Sequence, residues 1–369
     1  MLNAPLPASR PAPRDAINPR KRAQVLSHAG QNDAEIAVIG GGLAGLSAAI
    51  YLGRAERDPL VIDSGSSMAR WEPEVQNYLG FPKGISGEEL LKRGREQAAK
   101  CGARLVDDEI LRAVRKQDKF LLQGKAGSYR AKRVLIATGI HHLPPEIEGV
   151  AECVGHTMFF CKDCDGLRVR GKKIAVYGGS NEAVEYALGM LYYSPCVILV
   201  TNGKRPHWDK QQTEWIEENK IPIYLKRIVA LRREGCRIRA LNFGGGLEVE
   251  IDALFTMRGD VYFNKLARRL GAEVDEDGQI KVDTCLRTTV KGLYAAGCVT
   301  PANCQMIIAA GQGAAAAQAI NRDLFEECLA THSLRRFRER QLQEFKATGK
   351  VKDRRTLMKI CRKDSMPKL

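Results

Sequence analysis

The sequence has no apolar run near the roughly 18 residues that a membrane-spanning helix requires, so an integral membrane protein is not expected. The N-terminus, MLNAPLPASRPAPRDAINPRKRAQ, lacks the apolar core segment of a secretory signal. It is basic and poor in acids, as a transit peptide is, but its prolines break any amphipathic helix. Residues 1–32 therefore read as a disordered basic tail, and a cytoplasmic location is expected. Closely spaced cysteines are scarce too. Of the 11 cysteines only Cys161 and Cys164 lie near each other, and an odd count in a chain of 369 residues does not suggest a disulfide-stapled scaffold. The pattern suits a reducing compartment with mostly free thiols and one special pair. A zinc site usually needs a second close pair of ligands, and only His156, five residues before Cys161, stands near; no metal site is expected.

Acidic residues are sparse at the two ends. The net charge is +15, of which residues 1–32 carry +4 and residues 328–369 carry +9, leaving about +2 for the body. Such ends are either solvated tails or a docking surface for an acidic protein partner; polyanion attraction needs no sequence-specific contacts, but nucleic acid is not the expected partner. With 44% hydrophobic residues and 35 glycines that are scattered rather than periodic, the remainder is a globular chain long enough for two domains.

Two stretches carry the pattern of a nucleotide-binding turn. In EIAVIGGGLAGLSAAIYLGRA, residues 35–55, the apolar run Ile36 to Ile39 suits a buried parallel strand, and Gly40, Gly42 and Gly45 follow as G-x-G-x-x-G before a helix of small residues. The first glycine permits the tight turn, the second lets a pyrophosphate approach the backbone, and the third lets helix and strand pack closely. The helix N-terminus offers free N–H groups to the phosphate. Asp63 ends the next apolar run, 18 residues past Gly45, where an acid can bind a ribose hydroxyl. The second stretch, KKIAVYGGSNEAVEYALGMLYY at 172–193, repeats the plan with Gly178, Ser180 and Ala183. Here a hydroxymethyl group stands where the middle glycine would be. That is either a tolerated small substitution or a sign that this pocket binds its nucleotide poorly, differently or not at all. Between the two lies RVLIATGIHHLPPEIEG, whose strand ends in Ala137-Thr138-Gly139. Late in the chain KGLYAAGCVTPANC supplies another short strand and glycine turn, followed by an alanine-rich helix.

Five motifs in order, the glycine fingerprint at 40–45, VQNYLGFP with Asn77, Ala137-Thr138-Gly139, Cys-x-x-Cys-Asp at 161–165 and GLYAAG at 292–297, make residues 35–327 resemble the low-molecular-weight thioredoxin reductases. In the larger disulfide reductases the dithiol follows the first nucleotide helix; here it opens the inserted segment. The resemblance implies an α/β fold with two Rossmann-like (FAD/NAD(P)-binding) domains, the second inserted into the first. Residues 33–144 and 259–327 would form the FAD domain, 145–258 the NAD(P)-binding-like domain with the dithiol, and 328–369 a basic extension. It implies a homodimer in which electrons pass from NADPH or NADH through FAD and the Cys161/Cys164 dithiol to thioredoxin or a similar small protein, with domain rotation between steps. Asn77 would lie beside the flavin, Gly297, Cys298 and Gln305 would line its site, Asp165 would act as acid/base, and Cys164 would face the flavin. Independently, thiol–disulfide chemistry needs a thiolate and a nearby proton acceptor, and Asp165 adjoins Cys164. Lys162 is either a thiolate partner or a solvated charge.

Four positions depart from the family. Ser180 is one. Where a basic cluster usually grips the 2′-phosphate of NADPH, the chain reads Thr201-Asn202-Gly203-Lys204-Arg205; Lys204 and Arg205 are either a displaced cluster or loop charges. The family's Ala-Ala-Gly-Asp becomes Ala295-Ala296-Gly297-Cys298, and its Arg-Gln becomes Cys304-Gln305. Cys298 and Cys304 read as a second redox pair or as buried thiols that act as small hydrophobes. Leu334, Phe337, Leu342 and Phe345 suggest an amphipathic C-terminal helix with a basic face. The alternatives are the same disulfide chemistry fed by ferredoxin or a second flavin, and a redox-sensing flavoprotein binder or scaffold.

Overall fold

A computed structural model describes residues 32–354; the expected N-terminal tail, up to residue 31, and the end of the C-terminal extension with Cys361 lie outside them. The first sheet is built from β1 (Asp33–Ile39), β2 (Pro59–Asp63), β3 (Arg104–Asp107), β4 (Ile110–Lys116), β5 (Lys119–Gly124) and β6 (Ser128–Ile136). β7 (Ile140–His142) then leads out of it. A second sheet uses β8 (Met158–Phe159), β9 (Ile174–Tyr177), β10 (Val197–Val200), β11 (Ile223–Tyr224) and β15 (Ala253–Thr256), and β12 (Ile228–Glu234), β13 (Arg237–Phe243) and β14 (Leu247–Glu250) form a separate antiparallel sheet. β16 (Asp260–Tyr262) leads back, and β17 (Leu293–Ala295) rejoins the first sheet beside β6.

The first sheet runs β3-β2-β1-β6-β5-β4, parallel from β3 to β1 and antiparallel among β4, β5 and β6. The second runs β11-β10-β9-β15-β8, all parallel. Their parallel strands β2, β9 and β15 are covered on each face and have every residue buried, whereas β4 and β5 at the antiparallel edge of the first sheet carry exposed residues. Each fully buried Leu, Val or Ile there contributes about 1.5–3 kcal/mol of apolar transfer. The chain is therefore the expected α/β fold, with one Rossmann-like sheet placed between the halves of another. The crossing strands β7 and β16 pair antiparallel, His142 opposite Asp260.

The described residues also hold eight α-helices: α1 (Leu43–Arg54), α2 (Gly87–Lys100), α3 (Lys162–Asp165), α4 (Asn181–Met190), α5 (Lys210–Glu218), α6 (Lys265–Arg269), α7 (Met306–Ala330) and α8 (Ser333–Thr348). Small residues let α1 and α7 approach closely; a Cβ on Gly313 would collide with the carbonyl of Ala44. The amphipathic helix expected near the C-terminus is α8, closed by Gly349 in the left-handed region with its N–H on the Phe345 carbonyl at 2.8 Å. Its apolar stripe is uncovered: Leu334, Leu342 and Phe345 are 39%, 45% and 50% exposed. Beyond it Arg354 donates to both carboxylate oxygens of Glu35 on β1, each at 2.9 Å, and Arg57 shares that carboxylate at 3.0 Å.

Candidate active site

The first glycine turn forms between β1 and α1. Gly40 has φ +109°, and a side chain there would strike the Ala137 carbonyl at the end of β6; a Cβ on Gly45 would strike the carbonyl of Gly40. Gly42 caps α1 with no side-chain bond, and the nearest atom to its missing Cβ is Ser67 Oγ at 3.4 Å, so the helix N-terminus is open to a phosphate. Asp63 lies under this turn. Its Oδ1 accepts the N–H groups of Gly41 at 3.0 Å and Gly65 at 3.1 Å, and its Oδ2 accepts from Arg95 at 2.9 Å. Arg95 also pairs with Asp107 at 2.6 Å. Asp63, Gly65, Arg95 and Asp107, with Ser64, Arg70 and Lys125, line a cavity of about 560 Å³ at the ends of β2 and β3. Strand-end position, open helix terminus and adjacent cavity fit the nucleotide portion of a dinucleotide.

The other half of this cradle comes from distant sequence. Ala137 donates its N–H to Ile39 at 2.8 Å, Thr138 Oγ1 donates to the Phe263 carbonyl at 2.7 Å, and the Gly139 carbonyl accepts from Phe263 at 3.2 Å. The N–H of Gly297 is held by Gln312 Oε1 at 2.7 Å. Asn77 and Gln305, 228 residues apart, meet: Asn77 Nδ2 donates to Gln305 Oε1 at 3.1 Å.

Cys161 and Cys164 are joined in a disulfide, with Cα atoms 5.3 Å apart, at the start of the single-turn α3. Both are half-buried, and the Cys164 N–H donates to Cys161 Sγ at 3.1 Å. Gln305 Nε2 lies 3.3 Å from Cys161 Sγ and 3.5 Å from Cys164 Sγ. The residue just before α7 thus holds both sulfurs of a disulfide that opens the inserted segment, and Asn77 holds that residue.

Beneath the disulfide, Asp165 is 2% exposed. Its Oδ1 accepts from Arg168 at 2.6 Å, whereas its Oδ2 is buried with no partner. Burial raises its pKa above the usual carboxylate value, and the Arg168 guanidinium acts in the opposite direction. Arg168 also donates to the Gly155 carbonyl at 3.0 Å. Two further groups face Asp165. Glu72, from the first half of the chain, has its pKa pushed up to about 7 by burial and then by the Asp165 charge. Tyr186 on α4 has a buried hydroxyl without a partner, and burial raises its pKa. The Lys162 ammonium pairs with Asp163 at 3.0 Å and lies over the Tyr186 ring at 5.9 Å, which favours the reading of a surface charge over that of a thiolate partner. Arg168 was open to detection as the i+3 neighbour of Asp165; Glu72 and Tyr186 had no sequence signature.

The second turn keeps the strand–turn–helix plan. Gly178 donates to the Val200 carbonyl at 3.1 Å, and Ser180 caps α4, its Oγ accepting from Ala183 at 3.4 Å. The loop after β10 folds back on it. His207 donates its N–H to the Gly179 carbonyl at 2.8 Å, and Pro206 lies 3.6 Å from where a Gly179 Cβ would be. Asn181, the first residue of α4, exchanges two hydrogen bonds with Asp209, at 3.0 and 2.9 Å. Lys204 and Arg205 are exposed, with no ion pair among the described residues.

A redox disulfide with a buried carboxyl, set between two Rossmann-like units, defines a disulfide oxidoreductase. Residues 34–318 match the pyridine nucleotide-disulphide oxidoreductase family, which implies a flavin and a pyridine nucleotide. The chain is 30% identical to the thioredoxin reductase of Treponema pallidum (strain Nichols) over 298 residues, covering 78% of this chain and 96% of the relative. Among solved structures, that of HlmI superposes with a TM-score of 0.78 at 28% identity, covering 84% of this chain and 98% of the other. Thioredoxin reductase from Giardia duodenalis gives 0.71 at 26%, covering 80% and 99%. The chain belongs to the low-molecular-weight thioredoxin reductase family. None of its described helices is long and apolar enough to cross a membrane, and no described cluster of His, Cys, Asp and Glu has the makings of a metal site.

Proposed function

We propose that the protein is an FAD-dependent disulfide reductase that passes electrons from NADPH or NADH through the Cys161/Cys164 pair to thioredoxin or a similar small dithiol protein. The observation that carries this reading is the grip of Gln305 on both sulfurs of the disulfide, with Asn77 holding the same amide. In this reading residues 33–144 and 259–327 form the flavin domain and 145–258 the dithiol-bearing domain. The flavin, when bound, supplies the two electrons that open the disulfide. Gln305 orients the sulfurs. Asp165, whose pKa burial raises and whose carboxylate Arg168 steadies, gives a proton to the thiolate released as the disulfide opens and takes it back as it re-forms. The exposed apolar side chains of α7 and α8, Phe325, Leu329, Leu342 and Phe345, offer a surface for a second copy, consistent with a homodimer. The basic face of α8 suits an acidic protein partner, and a cytoplasmic location belongs to the same reading.

The loop over the second turn favours a variant of this reading. With His207 bonded to Gly179, Ser180 at the middle position and Asp209 beside the start of α4, a pyrophosphate has less room and meets a negative charge. The same disulfide chemistry would then draw on ferredoxin or a second flavin. Anaerobic stopped-flow mixing of the flavin-loaded protein with NADPH and with NADH distinguishes the two. Bleaching of the flavin band by either supports the nicotinamide reading. Bleaching by reduced ferredoxin alone overturns it in favour of the variant.

A further inference from the structure

The segment that carries the disulfide is also tied to the place where the chain crosses between its two sheets. β7 and β16 are the crossing strands, and their end pair sets His142 opposite Asp260, with Nδ1 2.5 Å from Oδ1. The His142 ring stacks on Phe160, with centroids 4.8 Å apart and planes inclined by 25°. Phe160 is the residue before Cys161. Trp71, between β2 and α2, meets the His141 ring edge-on at 4.7 Å and lies 6.3 Å from the Phe160 ring. Phe160 therefore contacts both the crossing ribbon and the first half of the chain. A second tie lies at the same seam. Gly155 packs so closely that a Cβ there would stand 2.3 Å from the Trp71 carbonyl oxygen and 2.5 Å from Pro73 Cδ. The Gly155 carbonyl accepts from Arg168, which also donates to Asp165.

We propose that His142 is a positioning residue for the disulfide: through the ring of Phe160 it holds Cys161 where Gln305 reaches it, and Asp260 fixes the plane of the imidazole. The inference rests on the disulfide reading of Cys161 and Cys164, but not on the identity of the electron donor. Cys161 caps α3, which has only four residues. A single helical turn has too few hydrogen bonds to hold its own place. The segment is instead held at its flanks, by Phe160 on His142 before Cys161 and by Arg168 on Gly155 after Asp165. An imidazole with one nitrogen tied to a carboxylate cannot turn without breaking that bond, so its stacking face stays toward Phe160. Electron delivery to the sulfurs depends on their placement, and a small displacement slows it. Opening of the same disulfide by a small thiol from solution has no such requirement.

The test compares those two ways of opening the disulfide. In the flavin-loaded protein, under anaerobic conditions, a flash photoreduces the flavin, and its reoxidation by the Cys161–Cys164 disulfide is followed in the flavin band. Separately, dithiothreitol opens the disulfide, and the free thiols are alkylated at intervals and mapped by mass spectrometry. In His142→Ala and Phe160→Leu the flavin-driven rate should fall about 2- to 10-fold, the range that loss of one aromatic pair implies. Asp260→Asn should give a smaller fall. Phe160→Tyr, which keeps the stacked ring, should stay close to the wild-type rate, and dithiothreitol should open the disulfide no more slowly in any variant. An unchanged flavin-driven rate in His142→Ala and Phe160→Leu overturns the proposal. So does a parallel slowing of both reactions, or a Phe160→Tyr protein as slow as Phe160→Leu. Failure of the primary reading looks different: the reduced flavin of the wild type would then leave closed a disulfide that dithiothreitol opens, and both readings would fall together.

Discussion

Gln305 Nε2 donates to Cys161 Sγ at 3.3 Å while Asn77 holds the carbonyl end of the same amide at 3.1 Å. The amide is therefore oriented from both ends, and the disulfide is held by a residue that is itself held. Gln305→Leu keeps the approximate shape but removes both bonds. A net hydrogen bond contributes about 0.5–1.5 kcal/mol, so the rate at which the reduced flavin opens the disulfide should fall about 3- to 10-fold. Asn77→Ala should give a smaller fall in the same direction. Rapid-reaction absorbance in the flavin band measures both, and an unchanged rate in Gln305→Leu would show that the contact is incidental.

Arg168 steadies Asp165 in its ionised form through a 2.6 Å bond. Arg168→Met removes that support, while burial continues to favour the neutral acid. The pH–rate limb that disappears in Asp165→Asn should therefore move to higher pH in Arg168→Met. A limb that stays in place would mean that another group sets it.

Glu72 gives a stability prediction with a definite sign. Its pKa is about 7 in the fold against 4.5 for the free side chain, so the folded state binds the proton more tightly. The stabilisation is complete below about pH 4.5 and is lost as pH rises through about 7. Asp165 acts with burial to raise it, while Arg168 and His142 act against them. Wild-type Tm should thus fall more steeply between pH 5 and pH 8 than that of Glu72→Gln. Parallel slopes from calorimetry would rule the assignment out.

The alternating pattern of strand, glycine turn and helix was legible because each part has a local cause. Buried parallel strands read as apolar runs, and Gly40 and Gly45 occupy places where a side chain would strike backbone. The dithiol and Asp165 were legible because they are adjacent in sequence. What sequence left open was pairing across distance. Glu72 reaches the neighbourhood of Asp165 only because the inserted segment folds back against the first half of the chain. Asp63 carried a ribose-binding expectation; it also carries the N–H groups of Gly41 and Gly65 and the charge of Arg95, contacts that no spacing announces. The loop over Gly179 was equally hidden, since the bond from His207 spans 28 residues with no repeating pattern.

Arg354 and Arg57 converge on Glu35, near the beginning of β1, whereas Gly40 follows the end of that strand. Five residues of extended chain separate the two points by about 17 Å. The last described residues of the C-terminal extension are therefore anchored at the rim of the sheet remote from the glycine turn. A macromolecule gripped at that anchorage would leave the cofactor cleft unobstructed: it would act as a handle on the enzyme rather than a lid over its cleft.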